Sequence, residues 1–445
     1  MKTLKNLLYL VLLLCVFSSC WRERKVVPIS TPPQGNADFT RYIAVGNSLT
    51  SGYADDGLYL AGQQVSYPSL IATQMQTIGG GNFYQPLFDA SSANGSGYLQ
   101  LTGFNADSTP IISPVTTNLG IRGTINVPGF GSVTLYNKYV GDLNNYGVPG
   151  IKLLNITYAP YGNLNGFFER LLPGNAPNNS TTYLQFVTAK KYSFFSNWLG
   201  NNDALGYATS GGAGDALTDK ATFTQLYQLL INTLTAGGQK GVVGTIPDVT
   251  SVPFFNTITV SKILAGVKKI APTAPGIYIN ALISTSDTTK YAPRLATTND
   301  LILLNFNTGQ IGQTVNTSNG PLPYGLTPYS AIESKYVLDQ NEIAITEDYV
   351  SSFNQTIKSI AAAKGLAVFD AYSFLQNIKA NGYTANGVNV NSTFITGGLF
   401  SLDGVHLTPR GYAIVANQFI KAINGQYNSK IPSLDISKYP GVKFP

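Results

Sequence analysis

Between residues 39 and 430, short apolar runs alternate with longer stretches in which apolar residues recur at helical spacing. Tyr42–Val45, Tyr192–Phe195, Gly241–Ile246 and Leu366–Phe369 carry little polar alternation and predict strands buried on both faces. Ser66–Gln76, Thr222–Leu234, Thr257–Ile270, Glu342–Ala363 and Thr408–Ile423 predict helices. The last has clear start signals, with Thr408 able to cap and Pro409 at the first helical position. Strands of this kind separated by helices predict an α/β protein with a parallel sheet covered on both faces. Its active groups then belong at the carboxyl ends of the strands.

The N-terminus follows another pattern. Lys2 and Lys5 precede an apolar run from Leu7 to Phe17, too short to span a bilayer but of the length found in the hydrophobic region of a signal peptide. Phe17-Ser18-Ser19-Cys20 resembles a bacterial lipoprotein processing site, which leaves a lipidated cysteine at the new N-terminus. Cys15 follows the bulky Leu14 and fits less well. An ordinary secretory signal with Cys20 incidental is the alternative. The expectation is a leader over 1–20, then a Pro-rich tether over 21–38 containing Pro28, Pro32 and Pro33. The tether offers no acidic run that would argue for surface display over the periplasmic face. A lipid anchor on Cys20 implies the bacterial cell envelope, with the outer membrane as the expected location.

Composition narrows the chemistry. At 445 residues and 44% hydrophobic, the chain can bury a sizeable core. A formal charge of +6, without a long Lys/Arg run beyond the N-terminal region, argues against nucleic acid as a partner. Two cysteines and one histidine exclude a thiolate zinc site and any centre needing two imidazoles. No phosphate-cradling loop or dinucleotide fingerprint is present, so neither a metal nor a cofactor is expected. Asp55 and Asp56 read as solvated loop residues and Asp248 as a turn-former; none suggests the facing carboxylates of a glycosidase.

Three strand-end segments remain. Gly46-Asn47-Ser48-Leu49 follows the first strand, and its glycine permits a tight strand-to-helix turn with the Ser48 hydroxyl exposed. Gly200-Asn201-Asn202-Asp203 follows the second, where amides satisfy a loop or donate to an oxyanion. Asp403-Gly404-Val405-His406 stands directly ahead of the capped helix, at a spacing that allows carboxylate and imidazole to meet. Alone, each has a bland reading as turn, loop or structural histidine.

In this order the segments resemble the SGNH hydrolases, the GDSL family of serine esterases and lipases. Gly46-Asn47-Ser48-Leu49 is similar to the nucleophile block, Asn145-Tyr146-Gly147-Val148-Pro149-Gly150 to the second block, Gly200, Asn202 and Asp203 to the third, and Asp403 with His406 to the last. The resemblance implies a three-layer α/β/α, flavodoxin-like fold over residues 39–430, enlarged by loop and β-rich insertions at about 56–140 and 284–328, with a C-terminal tail over 431–445. It further implies a catalytic triad of Ser48, His406 and Asp403, and an oxyanion hole formed by Ser48, Gly147 and Asn202. The expected substrate is a lipid, short-chain or glycan-acetyl ester. A carbohydrate O-acetylesterase and a non-catalytic binding lipoprotein are the alternatives. Asn47 departs from the family's aspartate: it is nearly isosteric, still bonds in the turn, and is not the proton carrier.

Overall fold

The computed structural model describes residues 34–445. The leader, Cys20 and the tether up to residue 33 lie outside the described residues. Five strands form the central sheet: β1 (Tyr42–Gly46), β2 (Asn145–Gly147), β3 (Phe194–Trp198), β4 (Lys240–Gly244) and β5 (Ala367–Phe369). Their order is β5-β4-β3-β1-β2 and every pairing is parallel. β1 sits between β2 and β3, with Gly46 level with both Gly147 and Trp198, so its carboxyl end opens at the middle of the sheet edge.

β3 begins two residues later than the apolar pattern predicts and runs on through Ser196 and Asn197. These polar residues are tolerated inside because Ser196 Oγ lies 2.7 Å from Tyr42 Oη and Asn197 Nδ2 donates to Tyr227 Oη at 3.2 Å.

Helices cover both faces of the sheet: α1 (Ser48–Ser51), α2 (Tyr67–Gln76), α3 (Asn202–Thr209), α4 (Lys220–Leu234), α6 (Gln340–Ala363) and α7 (Pro409–Tyr427), while α5 (Val260–Ile270) belongs to a separate apolar cluster. α4 starts where the Asp219 side chain accepts the Thr222 N–H, and it buries Phe223, Tyr227, Leu230, Ile231 and Leu234, one helical stripe. That stripe meets α6, with Phe223 stacked on Phe353 at 3.9 Å. α2 and α7 pair in the other layer, where Tyr67 stacks on Phe419 at 4.8 Å. α6 starts at Gln340, earlier than the periodicity suggests, because Asp339 and Glu342 form a capping box.

Within residues 56–140, α2 belongs to the core layer, and two antiparallel hairpins follow it, Tyr98–Phe104 with Pro110–Val115 and Ile121–Val127 with Gly131–Tyr136. α5 begins at Val260, three residues after the sequence pattern, because Ile258–Thr259 pairs with Leu301–Ile302 as a strand and Thr259 caps the helix. Val260, Val267, Ile279, Ile302, Ile332 and Val337 build a separate apolar cluster there, wider than residues 284–328 alone. Residues 431–445 are packed at their start, where Ile431, Leu434 and Ile436 are buried and the Asn417 side chain bonds both N–H and C=O of Leu434. Among the described residues no helix is long and apolar enough to cross a membrane.

Because Ile436 is fully buried at the end of that segment, Ile436→Ala is expected to destabilise the fold by about 2 to 5 kcal/mol. Denaturant unfolding followed by circular dichroism reads this directly, and a loss near zero would show that the segment contributes no packing.

Candidate active site

Ser48 sits at the first position of α1, directly beyond β1. The turn is tight enough that a Cβ on Gly46 would lie 1.9 Å from Thr50 Oγ1, which explains the glycine. Asn47 is the N-cap, its Oδ1 accepting the Leu49 N–H at 3.1 Å, so the amide does the local work of the missing aspartate without its charge.

His406 and Asp403 come from the turn ahead of α7. Gly404 makes this turn possible: its φ is +72° and a Cβ would crowd Leu304 and the Phe254 backbone. Asp403 Oδ1 accepts the backbone N–H groups of Val405 at 2.8 Å and His406 at 2.7 Å. Asp403 Oδ2 lies 2.9 Å from His406 Nδ1, and His406 Nε2 lies 2.8 Å from Ser48 Oγ. Burial alone would raise the Asp403 carboxyl, but the facing imidazole and the backbone donors outweigh it and hold the group well below the usual carboxylate range. The carboxylate thus stays charged and fixes which His406 nitrogen faces Ser48. Hydroxyl, imidazole and carboxylate stand in series.

Asn202 opens α3 and borders the same cleft as Ser48 and His406. One N–H of its side-chain amide donates to Ile151 O at 2.9 Å, leaving the second free to turn toward the cleft. Asp203 faces away into the core, where it accepts from Leu153 N and Thr218 Oγ1; burial raises its carboxyl to about 6. It ties the segment that follows the second block to α3.

Gly147 is not brought to the cleft. It is buried, its N–H donates to Asn145 Oδ1 at 3.0 Å, and a Cβ there would lie 2.3 Å from Ser51 N. It is glycine because α1 crosses β2 closely. The glycine that does border the cleft with Ser48, Asn202 and His406 is Gly150, three residues on, exposed and with φ +81°. Among the described residues neither the Gly150 N–H nor the Ser48 N–H has a protein acceptor. The sequence held the signal, since both glycines fall in one short run.

Asp55 is not simply solvated, and Asp56, exposed as expected, has its backbone engaged. Both adopt positive φ, 52° and 59°, an uncommon conformation for non-glycine residues. This bend aims the Asp56 N–H at Asp403 Oδ2, 2.9 Å away. The Asp55 carboxylate accepts from Leu402 N at 3.0 Å and Tyr59 Oη at 2.8 Å, while Asp55 N donates to Ser401 Oγ. The loop after Ser48 is thereby fastened to the turn carrying His406. Tyr53, on the same loop, rests its ring 4.7 Å from the imidazole. Asp248 accepts from Thr250 and Ser251 in a turn.

The cleft of about 520 Å³ above these groups has aromatic walls. Tyr136, from the second hairpin, stacks on Phe167 at 4.4 Å, and Phe167 meets Tyr53 edge-on. Among the described residues no cluster of three or more His, Cys, Asp or Glu side chains could hold a metal ion.

The chain thus has a three-layer α/β/α fold with a serine, a histidine and an aspartate in hydrogen-bonded series at the carboxyl end of its parallel sheet. Residues 42–419 match the family model of the GDSL-like lipases/acylhydrolases, and the chain belongs to that family of carboxylic ester hydrolases. No curated protein matches it in sequence. Among solved structures it is similar to a lipase/acylhydrolase from Enterococcus faecalis, 12% identical with a TM-score of 0.33, covering 88% of this chain and 100% of that one. It is also similar to an acetyl xylan esterase from Geobacillus stearothermophilus, 10% identical with a TM-score of 0.36, covering 87% and 95%. These superpositions are loose, and the family assignment rests on the sequence match.

Removing the Asp55 carboxylate frees the loop that aims Asp56 N at Asp403. Asp55→Ala is expected to lower kcat for ester hydrolysis by up to about a hundredfold, since small misplacements of catalytic groups are that costly. Asp55→Asn keeps an acceptor and should lose much less. Steady-state kinetics on both variants checks the order; equal losses would contradict it.

Proposed function

We propose that this protein is an exported serine esterase, tethered to the bacterial envelope through a lipid on Cys20, that cleaves carboxylic esters by way of an acyl-enzyme. The observation that carries the reading is the unbroken hydrogen-bonded series from Ser48 Oγ through His406 to Asp403. His406 Nε2 takes the Ser48 proton as the oxygen attacks the ester carbonyl, and Asp403 stabilises the imidazolium that forms. The oxyanion is met by the Ser48 N–H, the Gly150 N–H and the free N–H of the Asn202 amide. Gly150 takes the role that the family resemblance implied for Gly147, whose N–H is already bonded. Collapse of the tetrahedral species breaks the ester C–O bond, and His406 hands its proton to the departing alcohol. A water activated by His406 then attacks the acyl group and restores Ser48. The open aromatic cleft gives the leaving alcohol its exit.

Ser48→Ala and His406→Ala are expected to abolish nearly all turnover of a chromogenic acetate, and Asn202→Ala to lose about a hundredfold to a thousandfold in kcat. A fluorophosphonate label should attach to Ser48, as mapped by peptide mass. Full turnover in His406→Ala would overturn the mechanism, because the chain has no other histidine.

The lipid anchor is tested separately. In bacterial cells the wild-type chain should sediment with membranes and partition into detergent, while Cys20→Ala should appear in the soluble fraction; identical behaviour of the two would remove the anchor from the proposal.

A further inference from the structure

Two recesses meet at Ser48 and His406. One is a narrow cavity of about 50 Å³ walled by Leu49, Trp198, Phe369, Leu375 and Val415, where a charged group would lose its water without a replacement. The other is the wide aromatic cleft, so an ester with one charged half must place that half there. The charge of this cleft is one-sided. Asp56 borders it with Tyr53, Tyr136 and Phe167, and no Lys or Arg does. The Asp56 carboxylate is exposed and takes one donor, Tyr53 Oη at 3.2 Å from Oδ1; its Oδ2 has no protein partner among the described residues. Asp55 and Asp403 belong to the same joint between the Ser48 loop and the His406 turn. Among the described residues no Lys or Arg pairs with any of the three. Elsewhere in the chain Asp142, Asp215, Asp348 and Asp370 each bond a lysine or arginine. Burial first and the Asp403 charge second raise the Asp56 carboxyl, and a cation in the cleft would offset the second.

This field works against the chemistry. Attack by Ser48 puts negative charge on the ester carbonyl oxygen, and a carboxylate nearby that no cation pairs opposes it. A positive charge carried by the substrate itself reverses that effect. The side chains of the cleft suit such a group, since a carboxylate among aromatic rings is the set that holds ammonium centres. They suit a sugar less well, because hydroxyls need donors and acceptors together. The Asn165 amide at the cleft wall is already bonded to Pro149 O, Tyr161 Oη and the N–H groups of Phe167 and Phe168. We propose that the wide cleft selects esters whose alcohol half carries a cationic nitrogen, a quaternary ammonium or protonated amino alcohol, and that Asp56 is the residue that reads the charge. The inference rests on Ser48 being the nucleophile.

The test uses acetylcholine, its uncharged isostere 3,3-dimethylbutyl acetate and an acetylated methyl glucoside, with release of acetic acid followed by titration at constant pH. The acyl group is the same in all three. After division by the ratio of their hydroxide-catalysed rates, the full chain should turn over acetylcholine about tenfold faster in kcat/KM than the isostere, the combined effect of one partly exposed ion pair and one cation–π contact. This excess should shrink as sodium chloride screens the charge. Asp56→Asn, equal in volume and tolerant of positive φ, should lower it about fivefold. A wild-type ratio of one or less overturns the proposal, and that measurement needs no variant to fold. An equal loss on both esters in Asp56→Asn overturns it as well, since that is what a purely structural residue would give. Faster turnover of the glucoside ester than of acetylcholine overturns it in favour of a carbohydrate alcohol. Failure of the underlying reading has a separate signature: turnover of all three esters surviving in Ser48→Ala.

Discussion

The hydrogen bond between Ser48 Oγ and His406 Nε2 joins residues 358 positions apart, and the rest of the site is arranged around keeping it. By itself such a bond contributes only about 1 kcal/mol, far too little to hold two chain segments in register. The scaffold supplies the geometry. Ser48 is fixed by β1, which is buried along its whole length between β2 and β3. His406 is fixed by α7, whose buried face packs against α2 and the sheet, and whose cap Thr408 accepts the Gly411 N–H at 3.1 Å. The two supports meet at Asp55 and Asp56, where the loop after Ser48 bonds both backbone and side chain of the Ser401–Asp403 turn.

That meeting point is where the fold accepts strain. Two consecutive non-glycine residues at positive φ are unfavourable, and burial raises the Asp55 carboxyl. In exchange Asp403 receives a third backbone donor and stays ionised beside the imidazole. Strain and partial burial of charge are tolerable because the surrounding core is large, with α2, α7 and the sheet in one continuous apolar cluster. The local cost is borne by packing elsewhere.

Much of this was legible in the chain. The strand ends, the capped helix at Thr408 and the pairing of the one histidine with Asp403 all follow from local rules: hydrophobic period, helix start chemistry and the spacing of an acid from an imidazole. What escaped depends on contacts between segments distant in sequence. Gly147 and Gly150 look alike as letters; the Asn145 side chain takes the first N–H, and the pairing of β2 with β1 under α1 keeps that glycine out of the cleft, leaving the second at its edge. Asp55 looks like any loop acid until Leu402 arrives from the other end of the chain. β3 continues through Ser196 and Asn197 because Tyr42 and Tyr227 stand opposite them, which no periodicity reveals. The apolar cluster around Ile279 and Ile332 was hidden because three of its strands carry only two residues each.

The two recesses beside Ser48 differ in origin, and this bears on what each can become. The narrow apolar one is walled by Trp198 of β3, Phe369 of β5 and Val415 of α7, residues that also hold the sheet and its helices together. Trp198 packs edge-on against Tyr67, Phe369 and Phe419 at once. Enlarging that recess therefore removes core packing, and each large-to-small change there costs stability on the order of 3 to 5 kcal/mol for an aromatic residue. The wide cleft draws its wall from the hairpin ending at Tyr136, whose outer residues are mostly exposed and whose tip stands clear of other segments at Gly129 and Gly131, both held at positive φ. A loop of this kind tolerates substitution and length change with little effect on the fold. The shape of the narrow recess is thus bound to the stability of the core, whereas the wide cleft can change on the hairpin without disturbing the bond between His406 and Ser48.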